Sequence, residues 1–361
     1  GGIGTYVKST GETHAEIGDR SNDALRVNGG ELRCRVIGEG GNLGFSQRGR
    51  IEYAMAGGRI NTDFIDNSGG VNCSDVEVNL KILFAPLMES GQLTRTARNR
   101  LLARMTEEVG QLVLRNNYLQ CLAISGLQAR AVERIFELGH VIRALERAGT
   151  LDRALEALPT DDDIVERHRK GQGLTRPELS MLLSYSKIWL SGKLIETDIA
   201  EDPFLGGELI RYFPQPVQRR YPRAILRHQL RREIIVTATT NSLVNRMGPV
   251  FAIRTQEDTG ADVGRIARAF AIGREITGMR ELWADIEKLD DQVPTSLQYD
   301  MAHETTRLLR HLTYWVLRNL GRNLDIERAV KRLRPGIQEL MSTLPDVIGG
   351  LEVERYDRAL Q

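Results

Sequence analysis

Two kinds of apolar pattern divide this chain and limit what it can fold into. Up to about residue 88, short apolar runs end in Gly/Asn turns, which is typical of strands in an α/β unit. Beyond Thr94, apolar residues recur every three or four positions, which is typical of amphipathic helices. We therefore expect an α/β domain over residues 1–88, a large all-α region over residues 89–361, and a mainly α chain overall.

Two glycine-rich turns in the α/β part have the composition of a ligand site. The first is EGGNLG at residues 39–44, and the second is DNSGGV at residues 66–71. Glycine lets backbone N–H groups approach a ligand closely, and the amides of Asn42 and Asn67 can both donate and accept hydrogen bonds. Because ligands of open α/β sheets bind at the carboxyl ends of strands, we expect both turns at one edge of a sheet. Ordinary loop chemistry is the alternative interpretation.

The elements around these turns can also be predicted. Residues 32–37 and 59–65 are expected to be strands, and residues 47–56 a helix. Ser74 and Glu77 have the spacing of a capping box, which predicts a helix over residues 74–88 with Ser74 as its N-cap. Its apolar residues fall on one face: Val76, Leu80, Leu83, Phe84 and Leu87. Ser74 could be a cap alone, or it could also hold an anion, since a cap hydroxyl can still donate and a helix N-terminus favours negative charge.

The sequences of both turns and of the helix that follows resemble those of glutamate dehydrogenases. The matching stretches are EGGNLG at residues 39–44 and NTDFIDNSGGVNCSDVEVNLKIL at residues 61–83. The stretches GGIGTYVK at 1–8 and GDRSNDALRVNG at 18–29 are similar to the very large NAD-specific bacterial type. The resemblance extends through the whole chain, but it is specific in its motifs over about the first ninety residues.

This resemblance implies a fold and an activity. Residues 1–88 would be the C-terminal half of a Rossmann-like NAD-binding domain, and residues 89–361 a helical C-terminal region. The implied reaction is oxidative deamination of L-glutamate to 2-oxoglutarate and ammonia, with hydride transfer to NAD. The large bacterial enzymes are homo-oligomers, so the resemblance also implies self-association.

The resemblance assigns cofactor-binding residues to both turns and to the segment 1–5, expected to be the end of a strand. Asn42 would lie near the nicotinamide ribose, and Asn67 would lie beside the nicotinamide and the substrate. The full cofactor set is Gly4, Gly40, Gly41, Asn42, Asn67, Gly69 and Gly70. Gly41 stands where the smaller hexameric enzymes have alanine, which changes the outline of the expected pocket.

The resemblance assigns the substrate to three residues of the second turn and the helix after it. Asn67 would contact the substrate, Val71 would form an apolar wall of the glutamate pocket, and Ser74 would hold the side-chain carboxylate of glutamate. The family's catalytic lysine, catalytic aspartate and G-x-G-x-x-G turn have no match here and are expected upstream. We therefore expect no catalytic residue in this chain, no activity from it alone, and weak or no binding of NAD.

Charge and cysteine content exclude several classes of protein. The formal net charge is +1, so bulk electrostatics favours neither nucleic acid nor a membrane surface as partner. The basic segment 219–232 could bind nucleic acid, but an ion-paired face is the favoured interpretation. Cys34, Cys73 and Cys121 show no C-x-x-C pairing, which predicts neither a disulfide framework nor a zinc site. Cytoplasmic location is the default expectation.

Metal binding is not expected. The run Asp161-Asp162-Asp163 could hold a cation, but an acidic helix start explains it fully. His303 begins HETTR, which has Arg307 where the H-E-x-x-H zinc motif needs its second histidine. The competing hypothesis for the whole chain is a non-enzymatic helical module for regulation or oligomerisation, in which the Gly/Asn turns are only loops.

Overall fold

The computed structural model describes residues 3–347, which are mainly α-helical. Strands β1 (Val7–Lys8) and β2 (Val27–Asn28) pair in parallel, with Val7 opposite Val27. Single parallel bridges join Val7 to Phe45 and Val36 to Arg59. The described residues thus hold one two-stranded sheet, and a full Rossmann-like sheet is not among them. Gly1 and Gly2, part of the predicted strand end, lie outside the described residues.

Helices make up most of the described chain. The first eight are α1 (His14–Ile17), α2 (Gln47–Met55), α3 (Asp63–Asp66), α4 (Ser68–Glu89), α5 (Arg95–Ala129), α6 (Ile135–Arg147), α7 (Asp161–Arg169) and α8 (Arg176–Leu194). They are followed by α9 (Gly206–Tyr212), α10 (Gln215–Arg220), α11 (Pro222–Leu226), α12 (Arg231–Met247), α13 (Val250–Thr259), α14 (Val263–Ile276), α15 (Met279–Glu287), α16 (Thr295–Asn319) and α17 (Ile326–Val347). Short 3₁₀ turns occur at Arg20–Asn22, Gly29–Glu31, Ile199–Glu201 and Pro203–Leu205.

The two strands predicted over residues 32–37 and 59–65 are wrong in extent. They meet only where Arg59 donates to the carbonyl of Arg35 and Ile37 donates to that of Arg59, both at 2.9 Å. Beyond that point the chain turns into α3, with Thr62 at the N-cap position and Asp63 in the first turn. Threonine and aspartate are helix-start residues, and here these preferences override the β propensity of the residues that follow.

Helix α4 begins six residues earlier than the capping box predicts. Its first residue is Ser68, its N-cap position is Asn67, and Ser74 lies inside the helix. The predicted capping box is therefore wrong, and Glu77 instead pairs with Lys81 at 2.6 Å. The helix can run through Gly69 and Gly70 because glycine tolerates helical angles as readily as turn angles.

The apolar residues of the chain form two hydrophobic clusters. The smaller cluster lies in the α/β part and consists of Val7, Phe45, Tyr53 and Ile60. The larger cluster runs through the helical region and includes the predicted stripe on α4: Val76, Leu80, Leu83, Phe84 and Leu87. Helix α4 therefore packs as part of the helical region, and its N-terminal end reaches back to the two turns.

The helical region largely follows its sequence periodicity. The pattern of residues 223–245 predicts a single helix, but the structure breaks it between α11 and α12. The break lets the buried ring of His228 donate from Nε2 to the carbonyl of Asn79 on α4 at 3.0 Å. Burial lowers the pKa of His228, and the neutral ring can also accept at Nδ1 from the backbone N–H of Leu230 at 3.1 Å.

In the charged segments the structure shows a helix cap and ion pairs, which are the interpretations favoured above. Asp161 binds Arg143 and Arg153, while Thr160 and Asp163 form a capping box at the start of α7. Arg231 and Arg232 of the basic segment both pair with Glu201. Within residues 3–347, no helix combines the length and the apolar character that crossing a membrane requires.

Candidate functional site

The two glycine-rich turns meet through their asparagine side chains. Asn67 donates from Nδ2 to Oδ1 of Asn42 at 2.5 Å, and both residues are at least partly exposed. The prediction that the two turns lie together is therefore confirmed, although the second turn connects two helices and does not end a strand. The contact leaves the amide nitrogen of Asn42 and the amide oxygen of Asn67 available for a ligand.

The first turn is held in a strained conformation. Leu43 has φ of +60° although it carries a side chain, and such left-handed residues cost of order 1 kcal/mol each. Two bonds fix it: Thr5 donates from Oγ1 to the Leu43 carbonyl, and Leu43 donates from its N–H to Asp63 Oδ2, both at 2.8 Å. The Gly4–Thr5 segment thus adjoins the first turn, as the assignment of Gly4 to the same site requires.

A buried ion cluster lies beneath this turn. Arg50 of α2 donates to Glu39 through Nε at 2.6 Å and through Nη2 at 3.0 Å, and it lies 3.3 Å from Asp63. Glu39 also accepts from the backbone N–H of Phe45 at 3.2 Å. These bonds tie both ends of the first turn to α2 and to α3, so the turn is fixed from below while its glycines face outward.

Burial dominates the electrostatics of this cluster. It raises the pKa of Glu39, and the nearby Asp63 acts in the same direction, while Arg50 opposes both. A buried charge is tolerated only when it is paired and hydrogen-bonded, and Arg50 supplies both. Arg50 was not among the residues predicted from the sequence. Its signal was an arginine three residues before Tyr53 on the predicted helix, a spacing that puts both on one face.

The exposed face of α4 carries the predicted substrate residues. Asn67, Val71 and Ser74 are spaced four and three residues apart, which places them on one helix face, and Ser74 lies about 10 Å along the axis from Asn67. Val71 is 67% exposed, and Ser74 is also exposed. The apolar side chain of Val71 and the hydroxyl of Ser74 thus follow the Asn42–Asn67 contact along the helix.

The glycines of the site differ in the space around them. A Cβ added to Gly40, Gly41 or Gly70 would have no neighbour within 4 Å, so the backbone there is open to a ligand. A Cβ on Gly4 would instead collide with the side chain of Asn22, so that glycine is needed for packing. Gly69 lies in ordinary contact distance of Val113 on α5.

A polar chain joins this site to the helical region. Arg176 at the start of α8 donates from Nε to Asn61 Oδ1 at 3.0 Å, and Asn61 donates to Asp66 at 2.7 Å. Asp66 in turn accepts from the backbone N–H of Glu39 at 3.0 Å. Arg176 also binds Ser125 on α5 at 2.9 Å. The first turn is therefore positioned partly by residues more than a hundred positions away in sequence.

No group of three or more metal-binding side chains occurs among the described residues. Near the turns, Cys121 is half-buried, and burial raises the pKa of its thiol, with a further contribution from Asp66. A thiol with a raised pKa is a poor nucleophile near neutral pH, so Cys121 is not suited to act as a nucleophile here. What it does offer is exposed amides, open backbone and a serine hydroxyl.

Comparison with protein families gives two matches that together cover most of the chain. Residues 171–361 match the model described as glutamate dehydrogenase, C-terminal. Residues 1–127 match the model described as bacterial NAD-glutamate dehydrogenase, catalytic domain. The contact between Asn42 and Asn67 and the open face of α4 both fall within the second match.

Curated proteins named NAD-specific glutamate dehydrogenase are similar over nearly the whole chain. That of Halomonas elongata is 46% identical over 361 residues, and that of Pseudomonas aeruginosa is 47% identical over 361 residues, both 100% of this chain. That of Mycobacterium tuberculosis is 37% identical over 350 residues, 97% of this chain. The chain spans only 22%, 22% and 21% of these relatives, respectively.

Proposed function

The chain belongs to the large bacterial NAD-specific glutamate dehydrogenase family, and from this premise we propose that it forms part of such an enzyme. The proposed reaction converts L-glutamate, NAD⁺ and water to 2-oxoglutarate, ammonium, NADH and a proton. The observation that carries the proposal is the bond between Asn42 and Asn67, which joins the cofactor turn to the substrate helix.

The residues present fit a nicotinamide group. Gly40, Gly41 and Gly70 leave open backbone on both sides of the Asn42–Asn67 contact. The amide nitrogen of Asn42 and the amide oxygen of Asn67 can pair with a carboxamide. Bound NAD supplies the hydride acceptor. The role of Asn42 and Asn67 is to orient the ribose and carboxamide, with Gly69 and Gly4 shaping the backbone around them.

The α4 face fits a dicarboxylic amino acid. Val71 offers an apolar wall to the methylene groups of glutamate, and Ser74 donates its hydroxyl proton to the distal carboxylate. Both are exposed, so a ligand can reach them without displacing protein. Since Ser74 is within the helix, it acts through its hydroxyl and not through free N–H groups at the helix start.

Proton transfer is assigned to residues outside this chain. None of its lysines falls in the matched turns, and the chain spans about a fifth of the length of its relatives. The proposed role of this chain is therefore to place the nicotinamide against the substrate. The parallel pairs of Val7 with Val27 and Phe45 support a Rossmann-like arrangement of residues 1–88.

Self-association is also proposed for the full enzyme. Helices α16 and α17 expose Leu308 and Trp315, seven residues apart on one face, and Leu340 and Met341, with exposed fractions of 39–54%. Apolar groups that share one helix face, as Leu308 and Trp315 do, mark contact surfaces more often than single ones do. Trp315→Glu should weaken the assembly, which light scattering would detect as a lower mass. An unchanged mass would show that this surface does not mediate self-association.

The site assignment can be tested in a chimera. This 361-residue chain would replace the matching segment of the Pseudomonas aeruginosa relative, which is 47% identical to it. Ser74→Ala should raise KM for glutamate about 10-fold with little change in KM for NAD, since a charge-assisted hydrogen bond contributes about 1.5–3 kcal/mol. Asn42→Ala should do the reverse. Initial rates at varied glutamate and NAD separate the two effects.

Ser90→Ala is the matched control, because Ser90 is an exposed serine at the other end of α4. It should leave both constants unchanged. If Ser74→Ala and Asn42→Ala behaved like this control, the turns would not form the site. An inactive chimera with unaltered folding would count against the enzyme assignment for this chain.

A further inference from the structure

A second cleft lies in the helical region, away from the glycine-rich turns. Its volume is about 490 Å³, which is within the range of small-molecule sites. It opens between the C-terminal ends of α5 and α12, the indole of Trp283 on α15, and the first half of α16. No residue of the proposed cofactor and substrate site lines it, so the proposed reaction does not account for it.

Part of the cleft lining is apolar. It includes Leu122, Ala123 and Gly126 of α5, together with Met247 and Ala302. A Cβ added to Gly126 would meet nothing within 4 Å, so this glycine faces open space. Glycine in the middle of a helix costs up to about 1 kcal/mol relative to alanine, and packing here does not require it. The apolar part can therefore accept the body of a ligand.

The rest of the lining is polar. Three arginines and two acids line the cleft: Arg130, Arg134, Arg246, Glu133 and Asp300. Arg246 is occupied, since it pairs with Glu287 at 2.8 Å and stacks 4.3 Å from the ring centroid of Trp283. Arg130 pairs with Asp300 at 3.3 Å and Arg134 pairs with Glu137 at 2.9 Å, but such partly exposed pairs contribute little, so both guanidinium groups can still bind an anion.

One polar group in the lining lacks a hydrogen-bond partner among residues 3–347, and a histidine also lines the cleft. The side-chain oxygen of Asn245 is buried without a hydrogen bond, which costs about 1–3 kcal/mol. His303 is half-buried, and burial lowers its pKa, with further contributions from Arg130 and Arg134, so the ring is a neutral donor and acceptor at neutral pH. A ligand with an anionic group and a hydrogen-bond donor would satisfy both.

We propose that this cleft binds a small organic anion with an apolar body and a hydrogen-bond donor. The anionic group, a carboxylate or a phosphate, lies against Arg130, Arg134 and His303. The donor reaches the Asn245 oxygen, and the apolar body lies over Gly126 and its neighbours.

The probe for this site is 8-anilinonaphthalene-1-sulfonate, an aromatic anion with one N–H donor, added to the purified chain. Its fluorescence should rise saturably, and Gly126→Leu should weaken binding about 10-fold or more by filling the cleft. Gly126→Ala should bind like the native chain. Gly192→Leu is the matched control, because Gly192 is an exposed helical glycine with open space on α8, outside the cleft. Thermal unfolding checks that each variant is folded.

The anionic requirement has its own test. N-phenyl-1-naphthylamine has the same body and donor but no charge. Arg134→Glu should weaken the sulfonate about 5-fold and leave the neutral amine unaffected, and this comparison serves even if Gly126→Leu fails to fold. Displacement of the sulfonate by benzoate would indicate a carboxylate ligand, and displacement by AMP a phosphate. Absence of saturable binding, equal binding by Gly126→Leu, or a dye that neither anion displaces would each overturn the proposal.

Discussion

At the scale of single residues, buried carboxylates in this chain are stabilised by more than one cation or donor. Glu39 is bound by Arg50 and a backbone N–H, and Glu208 is bound by Arg211, Arg274 and Arg280. The pKa values of these two carboxylates shift in opposite directions, because burial and the neighbouring arginines contribute in different proportions. Burial raises the pKa of Glu39 in spite of one arginine, whereas burial also opposes the three arginines around Glu208 and they still lower its pKa to about 2.

The Glu208 cluster gives a prediction for pH. Because the folded pKa of about 2 is below the ordinary value of 4.5, ionised Glu208 stabilises the fold fully above that ordinary value. The contribution is lost as pH falls from 4.5 towards 2. Glu208→Gln should therefore lower the free energy of unfolding by about 3 kcal/mol at pH 7, since it leaves Arg274 buried with fewer partners.

Urea unfolding of the native chain and of Glu208→Gln over a range of pH measures this difference. The gap between the two should narrow steadily below pH 4.5. Glu281→Gln, a change in a carboxylate outside the cluster, is the control and should show no such gap. A gap that stayed constant with pH would mean that Glu208 stabilises the fold by packing and not by charge.

At the scale of elements, α4 determines how the site is built. It begins at Ser68, so that Gly69 and Gly70 form its first turn, and its buried stripe fixes it in the helical core. The exposed face of α4 therefore begins at the Asn42–Asn67 contact and continues away from it along the helix. The chain Arg176–Asn61–Asp66 supports the opposite side of the same contact. The helical region thus positions both turns.

The helical start of α4 predicts the effect of changing a glycine. Gly70 has helical angles and open space, so Gly70→Ala should raise the free energy of unfolding by about 0.5–1 kcal/mol. In the chimera the same change should raise KM for NAD, because the added methyl group narrows the open backbone. Urea unfolding and initial rates measure the two effects separately.

Gly57→Ala provides the contrasting control, since Gly57 has φ of +96° and should lose stability when it gains a Cβ. If Gly70→Ala also lost stability, Gly70 would lie in a turn with positive φ, as the sequence pattern first indicated, and the start of α4 at Ser68 would be wrong.

The sequence predicted the helical elements better than the α/β part, and particular residues show why. The stripe from Val76 to Leu87 is a long local pattern, and the structure confirms it. The meeting of Asn42 and Asn67 was also predictable from the two turns. The strand predicted over residues 59–65 failed because a single paired residue, Arg59, precedes the helix-start signal Thr62-Asp63. The pairing of Arg176 with Asn61 has no local signal, since only tertiary packing brings them together.

At the scale of the whole molecule, this chain joins a small α/β unit to a much larger helical body. The smaller hydrophobic cluster has only four buried residues, Val7, Phe45, Tyr53 and Ile60. Polar and ionic bonds supply much of the remaining order, through Arg50 and Arg176. A unit with so small a core is stabilised mainly by what packs against it, so the turns depend on neighbours for their geometry.

This dependence leads to a prediction about the chain on its own. The residues proposed to orient cofactor and substrate include none that is assigned to transfer a proton. Purified alone, the chain should form no NADH from L-glutamate and NAD, and calorimetry should detect weak or no binding of NAD. The chimera with the Pseudomonas aeruginosa relative should form NADH under the same conditions, because the rest of that polypeptide completes the site around the turns. Glutamate-dependent NADH formation by the isolated chain, measured by absorbance against a no-glutamate control, would show that these residues include the proton-transferring group.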